Sequence, residues 1–499
     1  MSLLHRLPGS AGRTLGVDPL GGSARRERFG ADLATAGGAI GWVLLAWVVG
    51  RWLTAHGADV HAPTPPLYAG FEPRIGPGTP FAVVVGVLVV IGGPSVAGRL
   101  SWRWLLLAGY LTALAWTFSL ALIDGWRVGI AGRLAVPTEY LREVPLVTDV
   151  GAFLRTFSSH ILAFQPGSFT THVAAHPPLA VLVFVGLDRI GLGGGGPAGV
   201  LCILVGASVP VTVAITLRAL AGPAGERLAR AALPFAVLAP TAIWVGVSAD
   251  GMYAGVLAAA VCALATATRN NPAAWKVAFR TFNVRKATFM TVRLDASAVV
   301  GVGAGVLFGC CLYFSYGLAL AGVFPLAVLV LTRRFGPLAW AAVGVVAVVG
   351  AFAAAGFWWV TGYEMTRALY AQPLQLGSAD RAYGYWVWAA PAAFAVSLGP
   401  ATVAGVRRTL AGAPRVARRF REVAADRRVV TALVGAALLA VLVADLSGLS
   451  RGETERIWLP FASWLLPAAG LLPARHARYW LAAQALVALA VNHLLDPPW

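Results

Sequence analysis

Apolar residues run through this chain in blocks long enough to cross a bilayer, and polar residues gather in the connections between them. Such blocks read as spanning helices, because about 20 residues at a rise of 1.5 Å cover the hydrocarbon core. The pattern predicts spans over Gly37–Leu53, Phe81–Ala97, Trp104–Ile123, Ala231–Val247, Gly251–Ala267, Ala296–Phe314, Leu318–Leu331, Leu338–Trp359, Trp386–Val406, Val429–Val443, Ile457–Leu472 and Tyr479–Leu495. Between His176 and Arg218 two more apolar runs, Pro178–Leu187 and Val200–Leu217, have to share an odd number of crossings. The first is short and Gly193–Gly196 interrupts the path, so it reads as re-entrant or steeply broken. The expectation is an all-α polytopic transmembrane bundle of about 13 spans.

Arginine orients the bundle. Basic connections recur at Arg99–Arg103, Arg218–Arg230, Arg269–Arg293, Arg333–Arg334, Arg407–Arg428 and Arg475–Arg478, and one orientation puts all of them in the cytoplasm. The N-terminal segment Met1–Ala36 carries Arg6, Arg13, Arg25, Arg26 and Arg28 without the apolar core of a cleavable signal, and is expected as a disordered basic cytoplasmic tail. The outer connections are then His56–Pro80, Asp124–Ala175, Ser248–Asp250, Ser315–Gly317, Val360–Tyr385 and Ala444–Arg456, with the C-terminus outside. Long connections in compact proteins are commonly functional. Within the longest, Val150–Phe164 has the spacing of a short amphipathic helix on the membrane surface. The chain divides into the tail 1–36, N-terminal spans 37–123, a core 124–268 that includes the large external loop, and C-terminal spans 269–499 with external loops 360–385 and 444–456.

Composition agrees: 58% of the 499 residues are hydrophobic and 12% charged, far from soluble usage. The formal net charge of +18 does not point to nucleic acid, because the arginines lie in short connections where they set orientation. Cys202, Cys262, Cys310 and Cys311 all lie inside apolar runs and lack metal-ligand spacing to a histidine.

Against this background the polar residues on the outer side stand out, since charge near a bilayer is costly unless it snorkels or works. They are Asp149, His172, His176, Asp250, Glu364, Arg381 and Arg456. His176 opens the helix start His176-Pro177-Pro178-Leu179, where prolines are tolerated and the helix dipole favours an anion. Asp250 sits in the turn Ser248-Ala249-Asp250-Gly251 at the bilayer edge. Arg381 and the pair Glu455–Arg456 stand on the side where arginine is disfavoured, which makes them candidates for phosphate, and Tyr383, Tyr385, Trp386 and Trp458 for a sugar face or the aromatic belt. Glu364, Arg367 and Tyr370 have helical spacing, as for a local ion pair. His172 and His176, four apart, would share a helix face and could hold a divalent metal cation with a carboxylate, an assignment the two prolines weaken.

The stretch from the outer loop through His176-Pro177-Pro178-Leu179, a glycine-broken connection, a span ending near Arg218 and an external Ser-Ala-Asp resembles the core of the GT-C glycosyltransferases. The nearest parallels are the protein O-mannosyltransferases and the lipid A aminoarabinose transferases. The resemblance covers roughly residues 124–267. It implies a plasma-membrane enzyme that takes a sugar from a polyprenyl-phosphate donor and passes it to an envelope glycan, lipid or protein on the outer face. A loop carboxylate would act as general base and basic residues would hold the donor phosphate. By position Asp149 with Phe153 is the match for the base, although Val150 replaces the second acid of the usual pair; Glu139 with Tyr140 is the rival and Asp124 a third. Asp250 completes the catalytic set. The substrate-binding set is His172, His176, Arg381, Tyr383, Tyr385, Glu455 and Arg456. Three spans precede the loop where the family has one, as two added N-terminal helices would give.

Two other classes compete. A transporter or flippase of a lipid-linked precursor would place polar or broken helices at the midplane and commonly shows repeats. Here the spans are clean and the charges gather at one surface. A non-catalytic scaffold would require that gathering to be incidental.

Overall fold

The computed structural model describes residues 22–269, 280–284, 287–291, 296–372 and 381–497. The fold is all-α and polytopic, and among the described residues nine helices are long and apolar enough to cross a membrane. The difference from about 13 expected spans has local causes. The run Ile457–Leu472 is not one helix: Pro460 and Pro467 each open a new short segment, giving Thr454–Ile457, Leu459–Ala462 and a 3₁₀ turn at Leu466–Leu471. This broken stretch is almost wholly buried, so protein covers the backbone that an intact helix would satisfy itself. Leu318–Leu331 is likewise split between a 3₁₀ turn at Tyr316–Gly322 and a helix at Val323–Thr332.

In the stretch after His176, helix Leu179–Arg189 starts three residues beyond that histidine, and at its end Arg189 donates to the Val147 and Thr148 carbonyls at 3.4 and 3.1 Å, so both its ends lie against the large loop. The path across the bundle is then Gly195–Gly206 followed by the first half of Val209–Val237. Gly222, at φ 58°, and Pro223 turn that helix back on itself. Arg218 meets Glu226 at 3.1 Å across the turn, and Arg230 caps the neighbouring turn by donating to the Ala97 and Leu100 carbonyls at 2.8 Å.

A second Gly-Pro pair, Gly399–Pro400, kinks the helix Tyr383–Arg418. The buried Gln484 repairs the kink: its Oε1 accepts from the Ala401 N–H at 3.0 Å and its Nε2 donates to the Leu398 carbonyl at 2.7 Å. A kink freed of its backbone partners is tolerated in an apolar bundle when a side chain takes them up. Elsewhere close helix contact rests on small residues. Helices Ala296–Phe314 and Gly336–Ala354 approach so closely at Gly305 and Gly344 that a Cβ on either would fall on a carbonyl of the other.

The segment expected as a disordered tail is helical from Gly22, and the helix Gly22–Ala55 runs on as the first span; residues 1–21 lie outside the described residues. The cause is Asp32, fully buried and clasped by Arg407 and Arg408 of helix Tyr383–Arg418, with Arg408 donating to it at 2.6 Å. These same two helices meet again at their other ends, where the Tyr385 hydroxyl donates to the Ala46 carbonyl, and Trp386 Nε1 donates to the carbonyl of Val60 in the connection beyond the first helix. The Asp32 end therefore lies opposite the end that carries the first long connection. Most of the expected basic connection Arg269–Arg293 falls outside the described residues, apart from the hairpin Arg280–Val284 with Ala287–Thr291.

At the other end the chain closes on itself. The short strand Gly70–Phe71 pairs antiparallel with Leu495–Asp496. Asp124 is gripped by Arg74 and Arg133, and Arg133 also reaches Asp496 at 3.0 Å. This clamp fixes the start of the loop that carries Glu139.

Candidate functional site

The large loop between Asp124 and Ala175 folds into short 3₁₀ and α turns that lie over the bundle end. Of the stretch Val150–Phe164 expected as an amphipathic helix, only Val150–Thr156 is α-helical, followed by a 3₁₀ turn at Phe157–His160, and Asp149 is the N-cap. Asp149 Oδ1 accepts from the Gly151 and Ala152 N–H groups at 2.7 and 3.1 Å, and the side chain is exposed. These backbone donors, Ala152 first, hold its carboxyl below the usual range. Among the described residues no hydrogen bond or ion pair joins Asp149 to the other candidates, and its residue type is the one a helix start selects.

Glu139 is placed differently. It precedes the 3₁₀ turn Tyr140–Arg142, is 1% exposed, and its Oε2 has no hydrogen-bond partner. Its Oε1 lies 3.6 Å from Arg456 Nη1 and 3.4 Å from His172 Nδ1. Arg456 is the hub. It is 4% exposed, its Nε stands 3.5 Å from Asp250 Oδ2, and its Nη2 donates to Glu453 Oε2 at 2.9 Å and to His172 Nε2 at 3.0 Å. A guanidinium only donates, so His172 Nε2 is the acceptor and Nδ1 carries the proton, which it gives to the Thr138 carbonyl at 2.8 Å. His172 thereby bridges Arg456 and the backbone that leads into Glu139.

Each hub member is positioned by its own element. Asp250 lies in the first turn of helix Ala249–Ala267, where a carboxylate complements the helix dipole, and Ser248 caps that helix by accepting from the Gly251 N–H at 3.1 Å. Arg456 and Glu455 sit on the turn Thr454–Ile457, pinned by Thr454 Oγ1 donating to the Ala390 carbonyl at 2.9 Å. Arg381 is 3.7 Å from Glu453 and also donates to the Arg451 carbonyl. Burial opposes ionisation of Glu453, but Arg456 and Arg381 outweigh it and hold that carboxyl below its ordinary value. Glu455 faces away from the hub: its Oε1 accepts from the Tyr68 N–H at 2.9 Å, its Oε2 is unpartnered, and burial pushes its carboxyl up to about 7.

His176 ends the short helix Thr171–Ala175 in an extended conformation, so it and His172 do not share one helix face. Its ring lies 6.1 Å from Tyr140 and 6.0 Å from Tyr253, whose hydroxyls are hydrogen-bonded to each other at 2.9 Å. Burial holds His176 down to about 3, which keeps it neutral. For a divalent cation, the centre of the carboxylates is already taken by the Arg456 guanidinium, and among the described residues no three His, Cys, Asp or Glu side chains group as a ligand set.

Tyr383 and Tyr385 are not brought to the hub. Tyr383 is part-exposed under Arg451, and Tyr385 is buried between two helices. Glu364 and Arg367 are both exposed on helix Trp359–Ala371, and no ion pair joins them. Burial, with the Glu453 carboxylate behind it, raises the Tyr370 hydroxyl to about 12. Two residues at or beside the hub escaped the sequence reading, Glu453 within it and Tyr253 next to His176. Glu453 was signalled by the density of charge in Arg451-Gly452-Glu453-Thr454-Glu455-Arg456, of which only the last pair was taken up. Tyr253 carries no signal, being an aromatic in an apolar helix.

Comparison with protein-family models finds no match, and no curated protein matches the chain.

Proposed function

We propose that this protein is a GT-C-type membrane glycosyltransferase that moves a sugar from a polyprenyl-phosphate donor to an envelope acceptor, with Glu139 as the general base. The observation that carries this reading is Glu139 itself: a buried carboxylate with one oxygen unpartnered, its other oxygen facing Arg456 and His172. A buried acceptor without a donor is costly and rare, and an incoming hydroxyl would complete it.

In the proposed step the acceptor oxygen forms a bond to the anomeric carbon and its proton passes to Glu139 Oε2. The bond from the anomeric carbon to the phosphate oxygen breaks, and its electron pair leaves with the polyprenyl phosphate. Arg456 and Arg381 supply the positive field for the departing anion. The bridging His172 keeps Arg456 aimed at the carboxylates rather than at solvent. The basic connections at the Asp32 end support an orientation with that end in the cytoplasm and the Glu139 end outside. The broken segment at Thr454–Leu471 fits a count of more crossings than the nine long helices found among the described residues.

The test is transfer of radiolabelled sugar from a panel of polyprenyl-phosphate donors in membranes holding wild type, Glu139→Gln and Asp149→Asn at matched folded levels. Transfer lost in Glu139→Gln and kept in Asp149→Asn is the expected result. Loss in Asp149→Asn alone would return the base to the helix cap. No transfer from any donor, with lipid-linked sugar moving between leaflets in vesicles, would make the protein a flippase.

A further inference from the structure

Around the junction of helices Leu179–Arg189 and Gly195–Gly206, five large apolar side chains are exposed. Leu146 and Ile190 are 71% and 70% exposed, and Trp126, Val128 and Leu192 are half-exposed. The segments that carry them adjoin one another. Arg189 donates to the carbonyls of Val147 and Thr148, beside Leu146, and a Cβ on Gly196 would lie 3.3 Å from the Trp126 ring. Contiguous apolar surface costs free energy in water and marks a place where another surface is met.

Helix lengths give the depth of this face. Arg218 stacks over Trp102, 4.6 Å from the ring centroid, so both stand at the level of the basic turns. From there helix Trp102–Ala121 rises about 30 Å, and the helical path from Arg218 back to Gly195 covers about 35 Å. The hydrocarbon core is about 30 Å thick. Trp126, Ile190 and Leu192, which adjoin the far ends of these two paths, therefore stand at the boundary of the core and not in bulk water. Between the two levels the Tyr110 hydroxyl donates to the Leu204 carbonyl at 3.0 Å, and Leu111 and Leu204 are exposed on the same pair of helices. The face is the top of a continuous apolar wall.

We infer that this face is immersed in the bilayer leaflet at the hub end, among phospholipid headgroups and the first acyl carbons, so that the large loop is seated in the membrane. Arg127 and Arg189 are exposed beside the apolar residues and complement headgroup phosphates, and an exposed tryptophan such as Trp126 suits the same layer. The seat reaches the hub. Phe184 of helix Leu179–Arg189 has its ring 5.8 Å from that of Tyr140, the neighbour of Glu139, so the headgroup layer sets the height of the Glu139 turn. The inference depends on the bundle spanning a membrane and on no reaction at the hub.

Depth-dependent fluorescence quenching on the full chain in phospholipid nanodiscs would test it. Cys202, Cys262, Cys310 and Cys311 are replaced by Ala, and bimane is attached to one new cysteine at a time: Val128→Cys, Ile190→Cys or Leu192→Cys on the face, and Gln165→Cys at an exposed reference position of the same loop. The three face labels are expected to be quenched by lipids spin-labelled near the headgroup and to lose most of their quenching by aqueous iodide, with the reverse at Gln165→Cys. Iodide quenching of the face labels equal to that of the reference would put the face in water. Shielding from both quenchers, with cross-linked dimers from the face cysteines, would give it to a second copy of the chain. Either result overturns the inference. Lipid quenching is read without any sugar donor, so a protein that transfers nothing but shows it would sink the proposed reaction and leave the membrane seat standing.

Discussion

Two arginine–carboxylate clusters lie at the same end of the bundle and are built on different terms. In the clamp, Arg74 and Arg133 face Asp124 and Asp496, two cations against two anions, and Arg133 spends a further donor on the Pro497 carbonyl. At the hub, Arg456 and Arg381 face Glu139, Asp250 and Glu453, two cations against three anions, and Glu139 Oε2 is unpartnered. The clamp joins the last strand to the loop that precedes Glu139, and its charges are balanced as holding a fold requires. The hub carries a surplus of buried negative charge that folding alone would disfavour. That difference is what the proposed function assigns to the hub and not to the clamp.

The comparison breaks first at Arg456. Replacing it with Met strands the buried carboxylates of Glu139 and Asp250 and leaves Glu453 only Arg381, and thermal or denaturant unfolding in detergent should show a loss of about 3–5 kcal/mol. An unfolding midpoint equal to wild type would mean that the carboxylates are protonated and that the hub is no ion cluster. Glu139→Gln separates chemistry from stability: transfer should fall by about 10²–10⁴-fold, the range for a general base, while the melting temperature holds or rises because a surplus charge is gone. Asp124→Asn should do the reverse, lowering stability by about 1–3 kcal/mol and leaving transfer per folded molecule unchanged. If those two variants exchanged phenotypes, the roles of the clusters would be exchanged too.

A smaller effect is expected at Glu455. Burial raises its carboxyl to about 7 in the folded protein, while the unfolded chain ionises near the ordinary glutamate value. Between those two values the folded state binds the extra proton, so stability is highest below the unfolded value and falls as pH rises through the window up to about 7. Glu455→Gln should flatten melting temperature against pH across that window. A slope unchanged from wild type would assign the effect to another group. Asp149→Asn should have the least effect of all, a slight fraying of helix Val150–Thr156 read by amide exchange, with transfer retained.

Most of the bundle was legible because its signals are local. Span positions follow from runs of apolar residues, the shared end of the basic connections from arginine, and the surface helix at Val150–Thr156 from three- and four-residue spacing. Broken segments were harder to read, since Ile457–Leu472 is as apolar as any span and only its prolines hint at the interruption. The site was legible as a list and not as a group. His172, Asp250, Arg381 and Arg456 were all marked by charge or histidine in unusual places, and the structure brings them together. Asp149 was preferred to Glu139 because both are loop acids before an aromatic, and sequence distance to the histidines does not say which carboxylate is buried.

By itself the sequence determined the class of the protein, since an apolar block has one favourable place to go and arginine one favourable side. It also marked two places where the backbone bends, the Gly-Pro pairs at 222–223 and 399–400, although the pair Gly93–Pro94 lies inside the unbroken helix Thr79–Arg99. Only the tertiary structure decided which polar residues meet. Arg456 lies 317 positions from Glu139 and 206 from Asp250 in the chain, yet touches both. Contacts of that separation depend on how the helices stack, and stacking here is set by small-residue packing, such as Gly305 against the Gly336–Ala354 helix, which leaves no trace in charge or periodicity.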